Sequence, residues 1–129
     1  MEKPERPAPI PWSARNLVSI DDLSDEEIGY VLALAAHYAA LLKRGAAAAP
    51  RLAGKTQINL FLEDSTRTNL SFELAGKKLG ADVLNVAVAA SSVNKGEGLI
   101  DTAQTLASMG AAVMIVRHKE PRVHETLAA

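Results

Sequence analysis

Three hydroxyls and one guanidinium stand together in Ser65-Thr66-Arg67-Thr68, between the apolar run INLFL and a segment with helical spacing. That combination suits an anion. A helix N-terminus leaves backbone N–H groups without intrahelical partners and carries partial positive charge. A phosphate seated there accepts hydrogen bonds from those N–H groups and from Ser and Thr hydroxyls. An arginine adds a planar, permanently charged fork that matches its oxygens. The plainer alternative is that Ser65 or Thr66 caps the helix while Arg67 points to solvent. The stretch is neither a nucleotide P-loop nor a dinucleotide fingerprint, because GxxxxGK[ST] and GxGxxG are both absent.

Two further segments carry chemistry of the same sign. In SSVNKGEG, Ser91 and Lys95 lie among small residues, and a lysine on such a loop can reach an anionic ligand as a mobile point charge. Its plain alternative is a solvated surface charge. Arg117 ends the run VMIV, where a cation must leave the core or find an anion; its alternative is a surface salt bridge. The three histidines, His37, His118 and His124, are not spaced as metal ligands. No Ser/His/Asp arrangement or carboxylate pair stands out.

The elements that must position these residues follow from hydrophobic spacing. Ser24 with Glu27 forms a capping box for a first helix, in which Ile28, Val31, Leu32, Ala35, Ala39 and Leu42 form the apolar stripe and Gly45 the stop. TQINLFL (56–62) reads as a strand buried on both faces. A helix from Thr66 or Thr68 to Leu79 follows, with Phe72, Ala75 and Leu79 as its inner stripe and Gly80 as its end. A second strand (82–88), a loop (89–98), and a helix over LIDTAQTLASM with Leu99, Thr102, Ala103 and Leu106 inward come next. Gly110 stops that helix, a third strand spans 111–118, and PRVHETLAA begins another helix. Strands alternating with helices specify an α/β fold: a doubly wound, mainly parallel sheet flanked by helices. In such sheets ligands bind beyond the carboxyl ends of the strands, where Ser65–Thr68, Ser91–Lys95 and Arg117–His118 all fall.

Composition bounds the partners. The chain has 129 residues, 48% hydrophobic and 22% charged, with net charge −1 and no cysteine. One domain with a real core is expected. Bulk electrostatic binding to nucleic acid or to an anionic membrane is not expected, so an anion site must be local. Disulfides and thiolate–zinc sites are excluded, and a cytoplasmic setting is the simplest fit. Residues 1–12, with four prolines and no apolar core, read as an extended lead-in rather than a signal peptide.

The runs FLEDSTRTNLSFELAGKKLGADVLNV, SSVNKGEGLIDTAQTL and VMIVRH together resemble the amino-terminal half of the aspartate carbamoyltransferase catalytic-chain family. Its hallmark is a Ser-Thr-Arg-Thr phosphate loop followed by Ser-Phe-Glu, here Ser65–Thr68 and Ser71–Glu73. The related ornithine enzymes typically carry Gly-Arg-Gly-Glu where this chain has Asn94-Lys95-Gly96-Glu97, and Lys95 with the Arg117-His118 pair favours the aspartate branch. The resemblance covers about residues 12–129. It implies that Ser65, Thr66, Arg67 and Thr68 hold the phosphate of carbamoyl phosphate. Arg117 with Thr68 would contact its phosphate and carbonyl oxygens. Ser91 and Lys95 would reach a neighbouring subunit's site, where Lys95 meets both the phosphate and the aspartate carboxylate.

The same resemblance implies carbamoyl transfer to L-aspartate in pyrimidine biosynthesis, in a homotrimer, with no metal or organic cofactor. Other catalytic chains, regulatory chains or dihydroorotase-like chains are further partners it suggests. Asn69 and Gly98 depart from the family pattern, which commonly has arginine and threonine there. Residues 13–129 then correspond to a truncated carbamoyl-phosphate domain. The His-Pro-Thr-Gln segment and the aspartate-binding domain are absent from these residues, so the chain alone is expected to be inactive. A non-catalytic module that assembles with a full-length partner, and a carbamoyltransferase with another amine acceptor such as ornithine, are the alternatives.

Overall fold

Residues 5–13, 15–62, 65–87, 96–118 and 123–128 are described by a computed structural model. Contacts divide the chain into one unit over residues 1–48 and another over residues 49–127.

In the first unit, a 3-10 turn, Ile20–Asp22, is capped by Ser19, and the Asp22 carboxylate accepts from the main-chain N–H groups of Val18 and Ser19, both at 3.0 Å. Helix α1, Asp25–Lys43, begins with the expected capping box: Ser24 Oγ accepts from Glu27 N at 3.1 Å, and Glu27 Oε1 accepts from Ser24 N at 2.9 Å. Glu27 does more than cap. Its carboxylate also accepts from the Ser13 main chain, at 3.0 Å, and from the Ser13 hydroxyl. Only 3% of the Glu27 surface is exposed. The Ser24 and then the Ser13 backbone donors hold its pKa down, from 4.5 to about 2.

Of the expected stripe of α1, Ile28 is half-buried but Ala35 and Ala39 are exposed. Val31, Leu32 and Leu42 are exposed, Leu32 at 65%. Tyr30, Leu34, Tyr38 and Leu41 are half-buried on the same side as Glu27. In a helix as alanine- and leucine-rich as YVLALAAHYAALL, apolar residues occur all round the axis, so periodicity alone does not choose a face.

The second unit is a three-stranded parallel sheet in the order β2-β1-β3, from β1 (Thr56–Phe61), β2 (Asp82–Ala87) and β3 (Ala111–Arg117). Helix α2 (Thr66–Lys78) joins β1 to β2, α3 (Gly96–Ser108) joins β2 to β3, and α4 (Val123–Ala128) follows β3. The two crossovers run in opposite directions from the centre, so the right-handed rule sets α2 and α3 on opposite faces. That double cover buries β1 from Gln57 to Phe61, with Ile58 and Leu60 wholly inside. Burying each contributes about 1.5–3 kcal/mol. The expected doubly wound parallel sheet is therefore present.

Leu99 is buried, and Thr102, Ala103 and Leu106 are half-buried, as their spacing indicates. The helix starts at Gly96, inside the stretch read as loop. Gly80 and Gly110, both at φ 87°, follow α2 and α3 in the left-handed conformation that glycine adopts without strain. For α2 the expected stripe of Phe72, Ala75 and Leu79 is only partly right: Phe72 is 40% exposed and Ala75 is exposed. The buried residue of α2 is Gly76. A Cβ there would stand 2.8 Å from Val83 Cγ2 and would press on the Gln57 amide. The helix meets the sheet through a glycine and polar groups, which a search for apolar periodicity passes over.

Candidate functional site

Parallel strands present their carboxyl ends on one edge, and a doubly wound sheet opens a crevice where the strand order reverses. With the order β2-β1-β3, that point lies between β1 and β3. Two chain segments converge there. Beyond β1 comes the N-terminus of α2, with Ser65 at the cap position. At the end of β3 stands Arg117, in register with Phe61. The Leu62 N–H donates to the Arg117 carbonyl at 2.9 Å, extending the β1–β3 ladder by one step. Arg117 Nη1 donates to Thr68 Oγ1 at 3.0 Å.

The first turn of α2 suits an anion in detail. Asn69 N donates to the Ser65 carbonyl at 2.9 Å, closing the first helical turn, but the Ser65 hydroxyl makes no capping bond. The capping alternative for Ser65 is thus not what the structure shows. Thr66 and Arg67 are exposed, Ser65 and Thr68 half-buried, and no acidic residue occupies the first turn. Cations of the last turn, Lys77 and Lys78, complement the opposite end of the helix dipole.

Of the residues singled out from sequence, Ser65, Thr66, Arg67 and Thr68 share one helical turn, and Arg117 meets it through Thr68. Ser91 and Lys95 lie outside the described residues. His118 is half-buried next to Arg117. His124 Nε2 lies 2.8 Å from the Val116 carbonyl, a bond in which the ring N–H donates and α4 is tied to β3. His37 lies within α1. Among the described residues, no three His, Asp or Glu side chains are grouped to hold a metal ion, and no helix is long and apolar enough to cross a membrane.

Sequence reasoning missed a polar network beneath α2. Gln57 Nε2 donates to Asn59 Oδ1 at 3.0 Å and to the Phe72 carbonyl of α2 at 2.8 Å. Asn59 Nδ2 donates to Asn85 Oδ1 at 3.0 Å, and Asn85 Nδ2 donates to Glu73 Oε1. Glu73 also pairs with Lys77 at 3.4 Å, one turn along the helix. The signal was present: Gln57 and Asn59 alternate on one face of a strand otherwise rich in apolar residues, and Asn85 is the register partner of Asn59.

A family model described as aspartate/ornithine carbamoyltransferase, carbamoyl-P binding domain, matches residues 15–129. The chain belongs to this carbamoyltransferase family. An aspartate carbamoyltransferase catalytic subunit of Gluconobacter oxydans is 54% identical over 117 residues, which is 91% of this chain and 36% of that protein. One from Cereibacter sphaeroides is 56% identical over 107 residues, 83% of this chain and 33% of that protein. This carbamoyltransferase-family chain thus spans about a third of the length of those relatives. Among solved structures, aspartate transcarbamoylase from Trypanosoma cruzi in complex with phosphate superposes with a TM-score of 0.77 at 36% identity, covering 86% of this chain and 34% of that one. The same enzyme in complex with carbamoyl phosphate gives 0.74, with the same identity and coverage.

Proposed function

We propose that the chain is the carbamoyl-phosphate-binding part of an aspartate carbamoyltransferase catalytic subunit. The observation that carries this reading is the 3.0 Å bond between Arg117 and Thr68, which joins the end of β3 to the first turn of α2 at the switch point of the sheet. Support comes from the family match over residues 15–129 and from relatives named for aspartate transfer.

In this reading Ser65, Thr66, Arg67 and Thr68, with the N–H groups opening α2, hold the phosphate. Arg117 reaches both a phosphate oxygen and the carbonyl oxygen. The amine of L-aspartate attacks the carbamoyl carbon, the new C–N bond forms, and the C–O bond to phosphate breaks. The departing phosphate takes the C–O bonding pair and accepts the proton that the attacking amine loses, leaving as inorganic phosphate. Negative charge grows first on the carbonyl oxygen and then on the departing phosphate. Prepositioned donors stabilise it by about 3–4 kcal/mol each, and holding both substrates together lowers the entropic barrier.

Ser91 and Lys95 are assigned to the site of a neighbouring subunit in a homotrimer, with Lys95 meeting phosphate and the aspartate carboxylate. The reaction belongs to pyrimidine biosynthesis in the cytoplasm. Aspartate, rather than ornithine, is the acceptor on the strength of Lys95 and the named relatives.

Calorimetric titration of the 129-residue chain with carbamoyl phosphate tests the binding half. A saturable isotherm, strongly weakened by Arg67→Ala, is expected. A folded chain with no saturable heat contradicts the proposal.

A further inference from the structure

The polar network under α2 begins and ends on the same helix. From the Phe72 carbonyl it runs through Gln57 and Asn59 on β1 to Asn85 on β2, then back to the Glu73 side chain. Asn59, at its middle, is 0% exposed. A buried amide gains little net stability even when satisfied, because its hydrogen bonds replace bonds to water. Replacing both partners of such a bond by apolar groups of the same shape can be nearly neutral or stabilising. What a satisfied polar network supplies is a unique arrangement, since any slip leaves buried donors and acceptors unpaired.

The arrangement it fixes here is that of α2 on the sheet. Two adjacent helix residues are held from two different strands, and Gly76, one turn on, lets the helix lie close enough for Gln57 to reach the Phe72 carbonyl. A shift of one residue along the helix moves it about 1.5 Å and turns it about 100°, which breaks both attachments. Glu73 is five residues beyond Thr68, about 7.5 Å along the axis. Gln57, Asn59 and Phe61 share one strand face, and Arg117 is the register partner of Phe61. The network and the Thr68–Arg117 bond therefore lie under one helix on one face of the sheet.

We infer that the Gln57–Asn59–Asn85–Glu73 circuit is a positioning device for the anion site: it sets the rotation and height of α2, and so places the hydroxyls of its first turn against Arg117. The inference rests on the anion-site reading above. Its residues touch no substrate and act only through the pose of the helix.

The test measures the Kd for inorganic phosphate by calorimetry, alongside thermal melts, for the 129-residue chain and four variants: Asn59→Leu, Glu73→Leu, Glu73→Gln and, as a control on the site itself, Arg67→Ala. In folded Asn59→Leu and Glu73→Leu, phosphate affinity is expected to fall about tenfold, taking as a guide the lower end of what losing a group that orients a ligand costs at metal sites. Glu73→Gln keeps an oxygen for Asn85 and is expected to stay within about twofold, a difference of about 0.4 kcal/mol. A network with a merely structural role would lower the melting temperature and leave the Kd of the folded chain unchanged, and that result overturns the inference. If Asn59→Leu does not fold, the Glu73 pair decides, because that side chain lies at the border with solvent. Native affinity in Glu73→Leu, with Arg67→Ala weakened, rejects the positioning role alone. Loss of phosphate binding in the unaltered chain, or no effect of Arg67→Ala, rejects the site and the positioning role together.

Discussion

Arg117 and Thr68 lie 49 positions apart in the chain, yet the Arg117 guanidinium donates to the Thr68 hydroxyl at 3.0 Å. The bond is a consequence of topology. β1 and β3 are neighbours only because the chain crosses from β2 over β1 to reach β3, and that crossing opens the crevice in which an arginine and a helix N-terminus face each other. Each alone is a common surface feature. Together they bring a fixed positive charge within hydrogen-bond distance of a hydroxyl in the first turn of α2.

Replacing Thr68 by valine keeps the shape and removes the hydroxyl. The bond is exposed, so stability should change by no more than about 0.5 kcal/mol. Phosphate affinity should fall by about 1.5–3 kcal/mol, the worth of a hydrogen bond to a charged group. Thermal melts and phosphate titrations measure the two effects. Unchanged affinity would remove Thr68 from the site.

At Gly76 a helix-propensity argument and a packing argument point in opposite directions. Alanine for glycine in an exposed helix interior gains about 1 kcal/mol. Here the new methyl would stand 2.8 Å from Val83 Cγ2 and against the Gln57 amide, and overpacking costs about 1–3 kcal/mol. Gly76→Ala should therefore lower the urea midpoint. A higher midpoint would mean that α2 does not pack as closely as described.

Acid should weaken the first unit through Glu27. Its folded pKa, about 2, lies below its ordinary 4.5. The unfolded chain therefore takes up the proton first as pH falls. The stabilisation is present above about pH 4.5, declines through the interval below it, and is lost below about pH 2. In Glu27→Gln that part of the pH dependence should disappear. Parallel acid titrations followed by circular dichroism compare the two, and identical curves would show that the carboxylate contributes nothing.

The alternation of strands and helices, the capping box at Ser24, and the inward face of α3 were legible because each is a local pattern. Leu99, Thr102, Ala103 and Leu106 recur at helical spacing, while Asp101, Gln104, Thr105 and Ser108 mark the opposite face as polar. In α1 the alanines and leucines are spread round the axis, and spacing could not separate Tyr30, Leu34, Tyr38 and Leu41 from Val31, Leu32 and Leu42. The Ser-Thr-Arg-Thr turn was legible as chemistry, and Arg117 as a cation at a strand end. Their meeting follows from strand order, which is not a local property. The circuit through Gln57, Asn59, Asn85 and Glu73 was hidden for the same reason: two of its members lie in a strand read as apolar, and their partners are on other elements.

On its own, the 129-residue chain is expected to bind carbamoyl phosphate without forming carbamoyl aspartate at a measurable rate. Transfer needs the acceptor held beside the carbamoyl carbon, and the chain spans about a third of its curated relatives. A colorimetric assay for carbamoyl aspartate checks this, and turnover by the purified chain would contradict it.

A double-mutant cycle on phosphate affinity tests most directly whether Arg67 and Arg117 act on one bound anion. Arg67→Ala and Arg117→Ala should each weaken phosphate binding by at least about tenfold, or about 1.4 kcal/mol. Because both would grip the same phosphate, the loss in the double variant should differ from the sum of the two by more than about 0.5 kcal/mol. An Arg117→Ala chain that binds phosphate as the unaltered chain does would contradict a site shared between the end of β3 and the first turn of α2.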